Sequence, residues 1–290
     1  MLLITDVFHS LPWLYFSLVF LFSLMIGSFL NVVIHRLPIM LEREWQAEYL
    51  GYFNPEIQPQ QEERYNLMVP RSACPHCGHA ITAIENIPLL SWLWLKGRCR
   101  ECQTPISARY PLVELLTALL SLVVAATFAP GWGLLAALLL TWVLVALTFI
   151  DLDKMLLPDQ LTLPLLWGGL LFNLAGGFAP LADAVIGAMA GYLVLWSLYW
   201  AFKLLTGKEG MGYGDFKLLA ALGAWLGWQA LPIVLLLSSL VGAFIGIGLI
   251  LLRNHHQNKP IPFGPYLAIA GWIALLWGDT ITRFYLTTFL

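Results

Sequence analysis

Gly210-Met-Gly-Tyr-Gly-Asp-Phe-Lys217 sets three glycines at alternate positions in front of one carboxylate, Asp215, at the lip of an apolar run. A second carboxylate, Asp151, closes another apolar run 64 residues earlier, in Phe149-Ile-Asp-Leu-Asp-Lys-Met-Leu-Leu-Pro-Asp159. Acids at membrane depth are costly and mark function. Two carboxylates a few ångströms apart cannot both ionise easily and share a proton. One can then take a proton from water while the other protonates a peptide carbonyl. Gly212 and Gly214 fit this chemistry as an active-site loop, because glycine permits positive φ and close backbone approach, as a bound peptide requires. The loop matches neither the dinucleotide fingerprint nor a Walker loop, and no strand precedes it, which argues against phosphate binding. The plain alternative for Asp215 and Asp159 is helix capping. Asp153 stands nearer water.

The composition makes those runs membrane segments. The 290 residues are 59% hydrophobic and 11% charged, against roughly 25% charged in a soluble domain. A run of about 20 apolar residues crosses a bilayer. Eight runs are found: Leu11–Ile34, Pro111–Phe128, Trp132–Ile150, Gln160–Phe178, Leu181–Leu205, Phe216–Trp228, Leu231–Leu252 and Phe263–Trp277. The expected fold is therefore an all-α polytopic membrane protein of about eight transmembrane helices. Its parts are an N-terminal span (1–36), a polar insert (37–110) and a seven-helix membrane domain (111–290). Within the insert, Ile39–Leu50 reads as a short amphipathic helix lying on the surface. Asn54–Glu63, with its prolines and glutamines, reads as a loop.

Charge placement sets the orientation. Of the 15 Lys and Arg, only Arg283 lies away from the insert and the Arg36 that adjoins it, the Asp151 loop, Lys203–Lys217 and Arg253–Lys259. Cytoplasmic loops are the ones enriched in these residues. The insert and both aspartates are thus expected in the cytoplasm and both termini outside it. A net charge of −2 gives no reason to expect a nucleic-acid partner; the lipid bilayer is the partner the composition implies. No basic cluster precedes the first run, as a cleavable signal would require.

The four cysteines form two units, Cys74-Pro-His-Cys77 and Cys99-Arg-Glu-Cys102, separated by 21 residues. That spacing is close to a zinc ribbon. Four thiolates close a tetrahedral, structural Zn2+ site, and a cytoplasmic setting disfavours disulfides. His76 and His79 are weaker ligand candidates. The metal would staple an insert that lacks enough core of its own. One further acid, Glu114, opens the second apolar run with Arg109 upstream; it reads either as a partner of that arginine or as part of a site.

Taken together, the chain resembles the prepilin peptidases. The resemblance rests on Gly27-Ser-Phe-Leu-Asn-Val-Val-Ile-His-Arg-Leu-Pro38, both cysteine pairs, Asn86-Ile-Pro-Leu-Leu-Ser-Trp92 and Ile106-Ser-Ala-Arg-Tyr-Pro-Leu-Val-Glu-Leu-Leu116. It continues through the Asp151 segment, the Asp215 loop and Pro262-Phe-Gly-Pro-Tyr-Leu-Ala268. The Gly-x-Gly-Asp element alone is shared with other intramembrane aspartyl proteases. The resemblance implies an enzyme of the bacterial inner membrane that cuts the leader from type IV prepilins and type II secretion pseudopilins. The cut follows a glycine on the cytoplasmic side. It implies catalytic roles for Asp151 and Asp215. It also implies methylation of the new N-terminus by S-adenosylmethionine, with Gly27–Asn31 the candidate for the methyl-donor site only by its place in the resemblance. Two other functions compete: an ion path built on the acids, and a scaffold that docks partners through the insert.

Overall fold

The computed structural model describes residues 10–53, 64–253 and 261–289. The loop expected at Asn54–Glu63 and most of the basic Arg253–Lys259 loop lie outside the described residues. All eight apolar runs are helical. In chain order the helices are α1 (Pro12–Phe53), the short α2 (Leu90–Trp94), α3 (Arg109–Thr127), α4 (Trp132–Lys154) and α5 (Asp159–Leu174). They are followed by α6 (Leu181–Thr206), α7 (Tyr213–Leu226), α8 (Leu231–Arg253) and α9 (Gly264–Phe289). Among the described residues, β structure is limited to two isolated bridges, Ala73–Ala80 and Arg98–Pro105. Five of the described helical stretches are long and apolar enough to cross a membrane. The 16 residues of α5 and 14 of α7 reach only about 24 and 21 Å at about 1.5 Å per residue, short of the roughly 30 Å hydrocarbon core.

The chain forms two compact units, Met1–Ala126 and Thr127–Leu290. In the first, α1 and α3 run antiparallel. The Tyr15 hydroxyl donates to the Ala125 carbonyl (3.3 Å), and Asn31 Nδ2 to the Tyr110 carbonyl (3.0 Å). Between them Gly27 lies flat on α3: a Cβ there would stand 2.7 Å from Glu114 Cα. Small residues allow such approach between membrane helices.

The amphipathic segment expected to lie separately on the surface is instead the end of α1, which runs unbroken through Pro38. Proline costs an interior helix about 3 kcal/mol, and side chains on both sides of it are anchored to a second segment. Arg36 is buried and donates to the Asn66 carbonyl at 2.9 Å. Arg36 and Arg43, two turns apart, both face the Tyr65 ring, at 5.7 and 4.5 Å. Residues 65 and 66 thus clasp the helix across the proline.

In the second unit α7 is the core. All but one of the eleven residues from Asp215 to Trp225 are buried, so this short helix meets protein on nearly every side. It packs chiefly against α6, α5 and α9. Gly187 of α6 and Gly223 of α7 touch: a Cβ on either would fall on the other's carbonyl oxygen. One turn along, a Cβ on Gly191 would stand 2.6 Å from the Leu219 oxygen. At the far end, Asn173 Nδ2 donates to the carbonyls of Ala224 and Trp225 (2.8 and 3.0 Å), which α7 leaves without intrahelical partners. The Trp225 indole donates to the Leu165 carbonyl at 2.8 Å.

Candidate active site and metal centre

Asp151 sits in the last turn of α4, 5% exposed. The helix ends four residues on, at left-handed Met155, whose amide donates to the Asp151 carbonyl at 2.9 Å. That stop turns Leu157 inward, where it is buried, and delivers the chain to Pro158 and α5. The Asp151 carboxylate is held from elsewhere: Oδ2 accepts the Gly264 amide at 3.0 Å, from the first residue of α9.

Asp215 is the third residue of α7 and 7% exposed. The N-cap is Gly212. The Asp215 amide donates to the Gly212 carbonyl at 3.2 Å. Its Oδ1 is buried with no hydrogen-bond partner. A buried carboxylate oxygen left unused for structure is available for chemistry. Leu157 lies against both Gly214, next to Asp215, and Gly264, whose amide holds Asp151, so the structure brings the two acids into one region.

The glycines before Asp215 serve close approach rather than positive φ. None of Gly210, Gly212 and Gly214 has positive φ. A Cβ on Gly214 would stand 2.7 Å from Leu157 Cβ, and one on Gly210 2.9 Å from the Phe202 ring. At Gly212 the nearest atom to an added Cβ is Asp215 Oδ2, at 3.8 Å, so the space beside the carboxylate is open there.

The other acids separate from this pair. Asp159 is not the N-cap of α5; Pro158 is. Proline at that position leaves Asp159 in the first turn, where an anion suits the helix dipole, and Lys217 reaches it at 2.6 Å. Asp153 is exposed. Glu114 belongs to the first unit, where its Oε2 accepts the Leu89 amide at 2.8 Å. Leu89 has φ 60°, a costly conformation for a branched residue, and Glu114 pins it. The sequence gives no signal for this clasp or for the Gly264 donor, because both join residues far apart in the chain.

The insert is built from two matching knuckles. In the first, the Cys74 amide donates to the His79 carbonyl and the Gly78 amide to the Cys74 carbonyl, both at 2.9 Å. In the second, the Cys99 amide donates to Thr104 (2.9 Å) and the Gln103 amide to Cys99 (3.1 Å). Gly78 and Gln103, each four residues after the first cysteine, are both left-handed. All four sulfurs lie within 4.8 Å of one another. The short distances cross between pairs, 3.8 Å for Cys74–Cys102 and 3.9 Å for Cys77–Cys99. Ligands about 2.3 Å from a tetrahedral zinc stand about 3.8 Å apart, so the donor set fits the ion. Hydrogen bonds with the Thr104 side chain and backbone push the Cys102 thiol down to about 6, while burial and the neighbouring sulfurs push Cys77 up to about 12, so the four sulfurs cannot all be thiolates without a cation between them. His79 is engaged elsewhere, 3.2 Å from Glu85. Glu85 also accepts the Thr82 amide (2.9 Å) and hydroxyl (2.8 Å), and these bonds, the amide first, hold its carboxyl down at about 2.

Fold and site together define a polytopic membrane protein with a buried acid pair in one unit and a four-cysteine metal-site geometry in the other. Comparison with known proteins gives the family. Residues 21–128 match the bacterial peptidase A24 N-terminal domain and residues 138–247 the type IV leader peptidase family. Proteins described as prepilin leader peptidase/N-methyltransferase are similar along the whole chain. The one from Aeromonas hydrophila is 87% identical over 290 residues, covering 100% of both chains. The one from Aeromonas salmonicida strain A449 is 86% identical over 291, again covering 100% of both. The one from Pseudomonas aeruginosa is 60% identical over 281, covering 97% of each. The chain belongs to the type IV leader peptidase family. No solved structure matches it.

Proposed function

We propose that this chain is an inner-membrane prepilin leader peptidase that hydrolyses its substrate with Asp151 and Asp215 and then methylates the new N-terminus. The observation that carries the peptidase assignment is a pair of buried carboxylates, one held by a backbone amide and the other with a free buried oxygen. Between them they share a proton. One carboxylate takes a proton from water as the oxygen attacks the scissile carbonyl, and the other donates its proton to the carbonyl oxygen. Collapse of the tetrahedral species transfers a proton to the leaving amine and frees the leader. Gly212 places no side chain beside Asp215 Oδ2, which suits the close approach of a bound peptide.

The distribution of Lys and Arg supports a cytoplasmic active site and insert with both termini periplasmic. A prepilin whose positive leader stays cytoplasmic, with its hydrophobic segment in the bilayer, brings the scissile bond to that face. Pseudopilins share this arrangement and are the second substrate class.

Cys74, Cys77, Cys99 and Cys102 would hold the structural Zn2+. S-adenosylmethionine supplies an electrophilic methyl group to the new amine. The Gly27–Asn31 segment does not fit a cradle for it. Gly27 is filled by the backbone of Glu114 and Asn31 is tied to Tyr110, so this segment serves helix packing. The test is mass spectrometry of a prepilin incubated with purified protein and S-adenosylmethionine. The expected product lacks the leader, begins after the glycine and carries one added methyl. An intact prepilin contradicts the assignment.

A further inference from the structure

We propose that Gly264 is a positioning residue of the peptidase, and that Leu157 is the wedge setting its spacing from the Asp215 loop. This rests on the catalytic roles proposed for Asp151 and Asp215. The sequence Pro262-Phe-Gly-Pro265 makes Gly264 a special donor. The first amides of a helix have no intrahelical acceptor. In α9, Pro265 has no amide hydrogen, and the Tyr266 and Leu267 amides both turn back to the Phe263 carbonyl, at 3.1 and 3.2 Å. The Gly264 amide is left, and it donates to Asp151 Oδ2.

Glycine is demanded by space as well. A Cβ at 264 would stand 2.6 Å from Asp151 Oδ2 and 3.1 Å from both Leu157 methyl carbons. On its other side Leu157 meets Gly214, where an added Cβ would be 2.7 Å from Leu157 Cβ. One buried leucine therefore lies between the donor to Asp151 and the glycine next to Asp215. The three segments come from the α4–α5 connection, the start of α7 and the start of α9. The arrangement lets a backbone amide hold one carboxylate at a fixed setting relative to the other without any side chain entering the catalytic space.

Catalysis is steep in position, with about 1 Å of misplacement costing on the order of 10²-fold. Gly264→Ala is therefore expected to lower kcat for prepilin cleavage about 10²-fold with KM within about 2-fold. Leu157→Ala should also lower kcat. The double variant should lose less than the product of the two single losses, because the methyl carbons facing the new Cβ are gone. Thermal unfolding and methylation of a pilin supplied already cleaved report the fold. If Gly264→Ala fails both, the double variant decides: partial recovery of cleavage supports the proposal, and none overturns it. A Gly264→Ala protein with wild-type kcat, or with only KM changed, overturns it. Asp151→Asn is run alongside. If that variant still cleaves, the catalytic reading of Asp151 fails; if it is dead while Gly264→Ala is normal, only the positioning proposal fails.

Discussion

Stripping the metal from the insert, by chelation or by Cys99→Ser, should unfold it. The helical turns Ile84–Asn86 and Leu90–Trp94 contain no buried residue, and between residues 72 and 106 Cys99 is the one buried hydrophobic side chain. Apolar burial thus supplies little there. A structural zinc contributes about 10–16 kcal/mol in small four-ligand modules, as much as the whole stability of many domains, about 5–15 kcal/mol. Removing it should expose the segment around residues 72–106 to protease while one zinc per chain is released to a chelating dye. Acid should do the same, and the window identifies the cause. Glu85 has its carboxyl lowered from 4.5 to about 2 in the folded insert. Its stabilising effect is therefore complete above pH 4.5 and is lost only as pH falls towards 2. Opening between pH 7 and 5 is therefore not the loss of the Glu85 bonds, and protonation of the metal-binding thiolates is the expected cause. An insert that stays protease-resistant after complete metal removal would refute this account of its stability.

Gly223→Val should separate α6 from α7, since even a Cβ falls on the Gly187 carbonyl. We expect a loss of at least about 1–3 kcal/mol, measured by thermal unfolding, with a fall in cleavage because α7 carries Asp215. Gly214→Ala should impair cleavage while Gly212→Ala leaves the melting temperature unchanged, because only the first meets an atom closer than 3 Å. Equal melting losses in the two would contradict the packing described. Glu114→Ala should release strained Leu89 and cost about 1–3 kcal/mol, seen as faster amide hydrogen exchange at residues 89–95.

The architecture was legible in the sequence because membrane helices announce themselves by hydropathy: all eight runs are helices. That Asp151 and Asp215 are buried was legible because a charge beside an apolar run has few structural excuses, and the cysteine cluster because Cys-x-x-Cys spacing matches one geometry. What the sequence hid is long-range. The continuation of α1 through Pro38 depends on Tyr65 and Asn66 reaching back to Arg36 and Arg43. Gly264 donates to a residue 113 positions away. Asn173 caps a helix 51 residues ahead. Even at the glycine loop, the residue type was informative and the mechanism was not: Gly214 is needed for contact with Leu157, not for its dihedral angles.

The central claim is that Asp151 and Asp215 work as one unit, and a double-mutant cycle on kcat tests it directly. Asp151→Asn, Asp215→Asn and the double variant would be assayed with a prepilin, after confirming that each methylates a pilin supplied already cleaved. Groups that act together are grossly non-additive, so each single change should reduce cleavage to the background rate and the double should be no slower. Two partial losses that multiply in the double variant, or full activity in either single, would contradict the account.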